Sequence, residues 1–183
     1  MIFEASRIAA AGFSYGEAAL TKHEAAGSRP SARARLVSRL ITFGARFQRP
    51  MTLGVRGLVI DPDNRVLLVR HTYIPGFYLP GGGVEAGETL IEALNRELSE
   101  EANVRIEEPP ELFGVYLNRR VSLRDHVALY VVRSFRHEGP LSPNYEIAEA
   151  DFFALDALPR ETTQATRARL AEALEKAAIS PYW

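Results

Sequence analysis

Between residues 85 and 101 the chain places six glutamates, Glu85, Glu88, Glu92, Glu97, Glu100 and Glu101, with Arg96 as the one basic residue among them. Glu97, Glu100 and Glu101 stand at i, i+3 and i+4, so in a helix all three carboxylates share one face. Like charges at this spacing destabilise a helix by roughly 0.2–0.5 kcal/mol per pair. A face meant only for solvent would normally intersperse lysines, and this one does not. A hard cation is the natural counter-charge: Mg²⁺, or Mn²⁺ in its place, takes oxygen ligands in an octahedron and keeps several waters. The opposite face would carry Leu90, Ile91, Leu94 and Leu98, apolar enough to dock the helix on a sheet. Taken alone, such a cluster is more often an acidic solvated face.

The surrounding spacing favours the metal. Gly82 is followed after five residues by Glu88, and after seven more by Arg96-Glu97-Leu98-Ser99-Glu100-Glu101-Ala102-Asn103-Val104. This resembles the Nudix box: Gly, five residues, Glu, seven residues, Arg-Glu, an aliphatic, any residue, Glu-Glu, any residue, Gly, an aliphatic. Every defined position but one matches, an agreement expected by chance on the order of once in a million chains of this length. The departure is Asn103 in place of glycine. That glycine ends the helix in the left-handed region, and Asn is the best substitute there. The resemblance covers roughly residues 52–178 and takes in the Leu79–Glu85 approach and the Glu149–Phe153 segment.

The resemblance implies an α+β fold, a Nudix-like α/β/α sandwich around a mixed central sheet, and Mg²⁺- or Mn²⁺-dependent hydrolysis of a diphosphate linkage. It makes Glu97, Glu100 and Glu101 metal ligands, joined by the Gly82 carbonyl, and makes Glu88 and Arg96 a structural ion pair. Gly81 to Gly83 would let the backbone approach the diphosphate closely. The cations would bridge diphosphate oxygens, acidify a bound water and stabilise the leaving phosphate. Glu97, Glu100 and Glu149 form the catalytic set, with Glu97 or Glu149 as the proton acceptor and Glu146 behind them. Arg56, Arg70, Tyr73 and Arg119 are candidate substrate contacts, since arginine suits phosphate forks and tyrosine can stack a base; Tyr116 is a further candidate for stacking. His126 beside Asp125 has no nucleophile to serve and reads as a structural histidine.

The elements that must position these residues follow from pattern. Leu53–Ile60 and Arg65–Arg70 read as strands joined by an Asp61-Pro62-Asp63-Asn64 turn, and Phe77–Leu79 as a short third strand. The glutamate helix runs from about Thr89 to Ala102. Two β segments follow, 112–118 and 126–134, then a short strand at 151–155 and a helix over 163–178. Upstream, residues 1–30 read as a poorly ordered or loosely helical lead. Residues 31–50 read as an amphipathic helix with Leu36, Leu40, Ile41 and Phe47 on one side and Arg35, Arg39, Arg46 and Arg49 on the other. The Nudix-like domain is assigned to 51–180.

Bulk composition bounds the function. The chain has 183 residues and no cysteine, which removes disulfide scaffolds, zinc ribbons and thiol nucleophiles. Residues 1–50 carry eight Lys/Arg against three Asp/Glu, hence +5; the remainder carry fourteen against twenty, hence −6; together they give the net charge of −1. A near-neutral total gives no strong signal for nucleic acid. The chain shows neither a membrane-length apolar run nor a secretory leader, and a cytoplasmic location is the expectation. The expected partner is a nucleotide-type small molecule. The basic helix is expected to dock on the domain or on a second copy, as in a homodimer, in preference to an anionic membrane. Family signatures for ADP-ribose, coenzyme A and NADH are not apparent downstream of the box, where Arg119-Arg120 stand in place of a proline. An RNA 5′-end pyrophosphohydrolase and a non-catalytic nucleotide sensor are the alternatives.

Overall fold

The structure is a computed structural model and describes residues 51–183. The expected lead and basic helix, and any docking or dimer contact through them, lie outside the described residues. Seven strands and two helices follow one another: β1 (Thr52–Val59), β2 (Val66–His71), α1 (Leu90–Ala102), β3 (Val104–Ile106), β4 (Glu111–Leu117), β5 (Asp125–Val132), β6 (Phe135–His137), β7 (Ile147–Phe153) and α2 (Gln164–Leu174), with one 3₁₀ turn at Leu155–Ala157. No described helix is long and apolar enough to cross a membrane.

The sheet is mixed. β1 runs parallel to β5 from Thr52↔Asp125 to Val59↔Val132, and β4 adds antiparallel to the other edge of β5. β2 pairs antiparallel with β7, and β3 with β6. On its free edge β1 takes up the glycine-rich segment. Val55 and Gly57 donate their N–H groups to the carbonyls of Gly82 and Pro80, each at 2.9 Å, and Val84 N–H returns to Leu53. The Asp61–Asn64 turn closes because the Asp61 carboxylate accepts the N–H groups of Asp63 and Arg65, while Asn64 takes φ 57°.

Side chains alternate across β1 and β5, and each face buries one helix. Val55, Val59, Ala128, Tyr130 and Val132 pack against Ala93, Leu94 and Leu98 of α1. Leu58, Ile60 and Leu129 pack with Leu170 of α2. The helices therefore cover opposite faces, as expected. Ile91 is 39% exposed and takes no part in docking; Ala93 and Ala102 complete the buried stripe instead. Phe77 and Tyr78 make only single bridges to Thr162 and Val69, so the expected third strand does not extend. β7 begins at Ile147, four residues earlier than its hydrophobic pattern suggests, and α2 stops at Leu174.

α1 has clear punctuation. Thr89 and Glu92 form a reciprocal capping box at its start. Asn103 ends it at φ 52°, ψ 35°, the left-handed conformation expected of a residue standing where a glycine is usual. Leu98, fully buried, lies so close to Gly57 that a Cβ there would stand 3.1 Å from its Cδ2. Leu98→Ala should cost about 2–5 kcal/mol by opening a cavity between helix and sheet. A urea midpoint shift worth less than about 1 kcal/mol would contradict this packing.

Candidate active site

The carboxylates of Glu97, Glu100 and Glu101 on α1 meet three environments. Glu101 is 5% exposed. Its Oε2 accepts the Gly81 N–H at 2.7 Å, and its Oε1 lies 3.8 Å from His71 Nε2. Burial pushes its carboxyl up to about 7, against the pull of the Gly81 hydrogen bond and of Arg56. Glu97 lies over Gly82, and any Cβ there would run into its carboxylate. It accepts from Arg96 Nη1 at 2.8 Å, yet burial still raises its proton affinity. Glu100 points to solvent, with Arg96 Nη1 3.4 Å away.

Arg96 ties the loop to the helix. It donates twice to Glu88, at 2.8 and 3.1 Å, and once to the Gly83 carbonyl at 3.1 Å. Glu88 also accepts the Glu85 N–H, and these partners hold its carboxyl down to about 2. The Gly82 carbonyl receives the Val55 N–H, which leaves one of its two lone pairs open.

β2 and the segment before β7 bring a second group to the same place. One donor atom each from His71, Glu101 and Glu146 falls within 4.8 Å of the others. Glu146 is fixed by backbone contacts: Asn144 Oδ1 accepts its N–H, and its carbonyl accepts from Thr72. Burial first, then Arg56, lowers the His71 pKa, which keeps the imidazole neutral and able to ligate. The converging donors are thus Glu101, His71 and Glu146, whereas the sequence pattern groups Glu97, Glu100 and Glu101. By sequence His71 is only a residue beside the first strands, near the expected cleft with Arg56, Arg70 and Tyr73, and Glu146 only a reserve base. Their convergence comes from the β2–β7 pairing, which no local spacing reveals.

The remaining candidates separate. Arg56 lies on β1 under the glycine loop, and its Nη1 is buried with no hydrogen-bond partner among the described residues. Arg70 is occupied by Glu149, which accepts from its Nε and Nη2 at 3.2 and 2.8 Å. Tyr73 is exposed, with its ring 5.2 Å from that of His71. Arg119 sits 3.5 Å over the Tyr182 ring, while its neighbour Arg120 lines a pocket with Arg56 and His71. Tyr116 is buried and donates to Glu172, so it cannot stack a base. His126 Nδ1 is buried without a partner among the described residues, contrary to the expectation of a satisfied structural histidine.

This donor set fits a hard divalent ion. Buried carboxylates with raised proton affinity are stabilised by added positive charge, and oxygen donors with one imidazole suit Mg²⁺ or Mn²⁺. A family model described as the NUDIX domain matches residues 50–174. The chain belongs to the Nudix family. It is 38% identical over 105 residues to an ADP-ribose pyrophosphatase of Methanocaldococcus jannaschii, a match covering 56% of this chain and 62% of that protein. The chain thus spans less than two thirds of that relative's length. It is 32% identical over 126 residues to a MutT-like protein of Streptomyces ambofaciens, covering 69% and 79% respectively. Among solved structures, a MutT Nudix hydrolase from Burkholderia pseudomallei superimposes with a TM-score of 0.57 at 27% identity, covering 65% of this chain and 95% of that one.

For this Nudix domain, Glu101 links pH to stability. Its folded pKa of about 7 exceeds the ordinary 4.5, so folding favours the protonated form. The contribution is fully present below about 4.5 and is lost as pH rises towards 7, amounting to roughly 3 kcal/mol. Mg²⁺ should therefore raise the melting temperature more at pH 8 than at pH 5. Equal Mg²⁺ shifts at both values would count against Glu101 as a metal ligand.

Proposed function

We propose that this Nudix protein hydrolyses a diphosphate linkage in a nucleoside diphosphate derivative or a nucleoside triphosphate, with Mg²⁺ or Mn²⁺ as cofactor. The observation that carries this reading is the junction of loop and helix. Glu101 binds the Gly81 N–H, and Glu97 rests on Gly82 at the same end of α1. Glu97, Glu100, Glu101, Glu146 and the Gly82 carbonyl would hold the ion, with His71 beside them. When bound, the ion acidifies a water and neutralises charge on the diphosphate.

The protein's own groups do the rest. Glu88 and Arg96 lock the loop against α1, so carboxylates and glycine backbone keep one geometry before substrate arrives. Arg56, with a guanidinium nitrogen that has no partner among the described residues, would bind phosphate oxygen. Each candidate base accepts from an arginine at 2.8 Å, Glu149 from Arg70 and Glu97 from Arg96, but Glu97 also rests on Gly82 of the loop, and burial raises its proton affinity. Glu97 is therefore assigned that role. A nucleotide sensor would gain nothing from carboxylates buried at a cost in stability, which disfavours the binding-module alternative.

A panel of ADP-ribose, other nucleoside diphosphate derivatives, nucleoside triphosphates and 5′-triphosphate RNA, each with Mg²⁺ or Mn²⁺, tests the reading. ADP-ribose belongs in it because of the Methanocaldococcus jannaschii relative, although the usual downstream proline is absent. Metal-dependent release of phosphate, pyrophosphate or a nucleoside monophosphate is expected. Binding without turnover across the panel would leave the sensor reading in its place.

A further inference from the structure

The chain after α2 does not trail into solvent. It returns to β4, where Leu117 N–H donates to the Pro181 carbonyl at 3.0 Å and Trp183 N–H donates to the Leu117 carbonyl at 3.2 Å. A costly buried cluster fixes it there. Arg169, 2% exposed within α2, donates to the Tyr182 carbonyl at 2.7 Å and pairs with Glu172. Glu172 also accepts the Ser180 N–H and the Tyr116 hydroxyl, both at 3.0 Å. The Arg169 guanidinium lies 4.1 Å from the Tyr116 ring centre and 5.6 Å from that of Trp183. Buried ion pairs contribute little net stability, because desolvation offsets their attraction. What this one does supply is a single position for the tail.

That position presents Trp183 to a pocket of about 340 Å³, together with Ile74, Tyr78 and Leu79. Arg56 and His71 line the same pocket, and each carries a buried ring or guanidinium nitrogen without a partner among the described residues. His71 is also the neighbour of Glu101. One pocket therefore joins Arg56 and His71, the latter beside Glu101, to the flat apolar surface of Trp183. Phosphate oxygens suit the first and a nucleobase suits the second, since aromatic side chains bind the π-face of any base. Inorganic pyrophosphate would engage only the first.

We propose that Ser180–Trp183 forms the nucleoside-binding wall of the active-site pocket, with Trp183 against the base of the substrate and the Arg169–Glu172 pair holding it there. The assignment rests on the diphosphate-hydrolase reading. Trp183 is the sole tryptophan of the chain, so its emission reports directly on the wall. Methylene-bridged analogues of ADP and UDP, whose P–C–P link resists hydrolysis, and inorganic pyrophosphate are titrated, with Mg²⁺, into the unaltered full chain. Saturable emission changes are expected with the two nucleotides and none with pyrophosphate. In the otherwise unaltered chain Trp183→Ala should raise KM for nucleotide substrates about tenfold with kcat within about twofold, the loss of one base–aromatic contact. Trp183→Phe should recover most of that loss, and melting curves check that both variants fold. The proposal is overturned if neither nucleotide binds, if equilibrium dialysis shows nucleotide binding that leaves the emission unmoved, or if Trp183→Ala keeps its KM. Failure of the hydrolase reading is distinct: it shows as no turnover across the substrate panel, whatever the emission does.

Discussion

Replacing Glu101 by Gln should lower turnover by about two to three orders of magnitude, roughly 3–4 kcal/mol of lost electrostatic stabilisation, while the protein folds as before. Gln is the informative replacement because it is nearly isosteric and keeps an oxygen to accept the Gly81 N–H. Only the charge is lost, and with it the means to hold a cation. The fold should gain, since the buried group no longer has to ionise. At pH 8 without metal the Gln variant should melt at or above the parent, and Mg²⁺ should move it little. A variant that turns over at near-parental rate would sink the assignment of Glu101. A variant that fails to fold would show that the hydrogen bond to Gly81 needs more than an oxygen acceptor.

The family of this protein is easier to read from sequence than the pairing of its strands, for a physical reason. A helix expected to hold a metal carries carboxylates on one face, here at i, i+3 and i+4, and its docking face interleaves Leu94 and Leu98 with them. Both constraints are local, so they are written in adjacent residues. Asn103 is equally local, since a left-handed helix end limits the residue type at one position. The rest depends on segments far apart in the chain. β1 meets β5 across 73 residues, the separation of Thr52 and Asp125, and nothing in either strand specifies a parallel partner. The convergence of His71 and Glu146 on Glu101 follows from β2–β7 pairing, which sets His71 opposite Ile147, 76 residues away in the chain. Arg169 and Glu172 look like ordinary solvated helix residues at i and i+3, yet both are buried, because the returning tail covers them. Arg119 suited a phosphate contact by type, but Tyr182 lies beneath it. In each case the residue type was informative and the partner was not.

The loop facing α1 carries the second large effect, and two adjacent glycines separate backbone from side-chain causes. Gly81 has φ +132°, and a Cβ there would run into the Val55 carbonyl and stand 3.0 Å from Arg56 Cα. Both obstacles are backbone atoms of β1, fixed by pairing with β5, so Gly81→Ala can be accommodated only by moving the loop. Backbone strain alone costs about 1–3 kcal/mol, and displacement of the loop adds the Val55 and Gly57 hydrogen bonds and the contact to Glu101. A loss of about 3 kcal/mol should lower the melting temperature by roughly 6–12 °C in a domain of this size. Gly82 differs, because its φ is unexceptional and its obstacle is the Glu97 carboxylate at the end of a side chain. Gly82→Ala should therefore spare the melting temperature but displace Glu97, cutting kcat by at least about tenfold if Glu97 takes the proton. Melting curves and steady-state kinetics on the two variants decide the matter. If Gly82→Ala keeps full kcat, Glu97 is not the base; if Gly81→Ala melts like the parent, the loop does not lie against β1 as described.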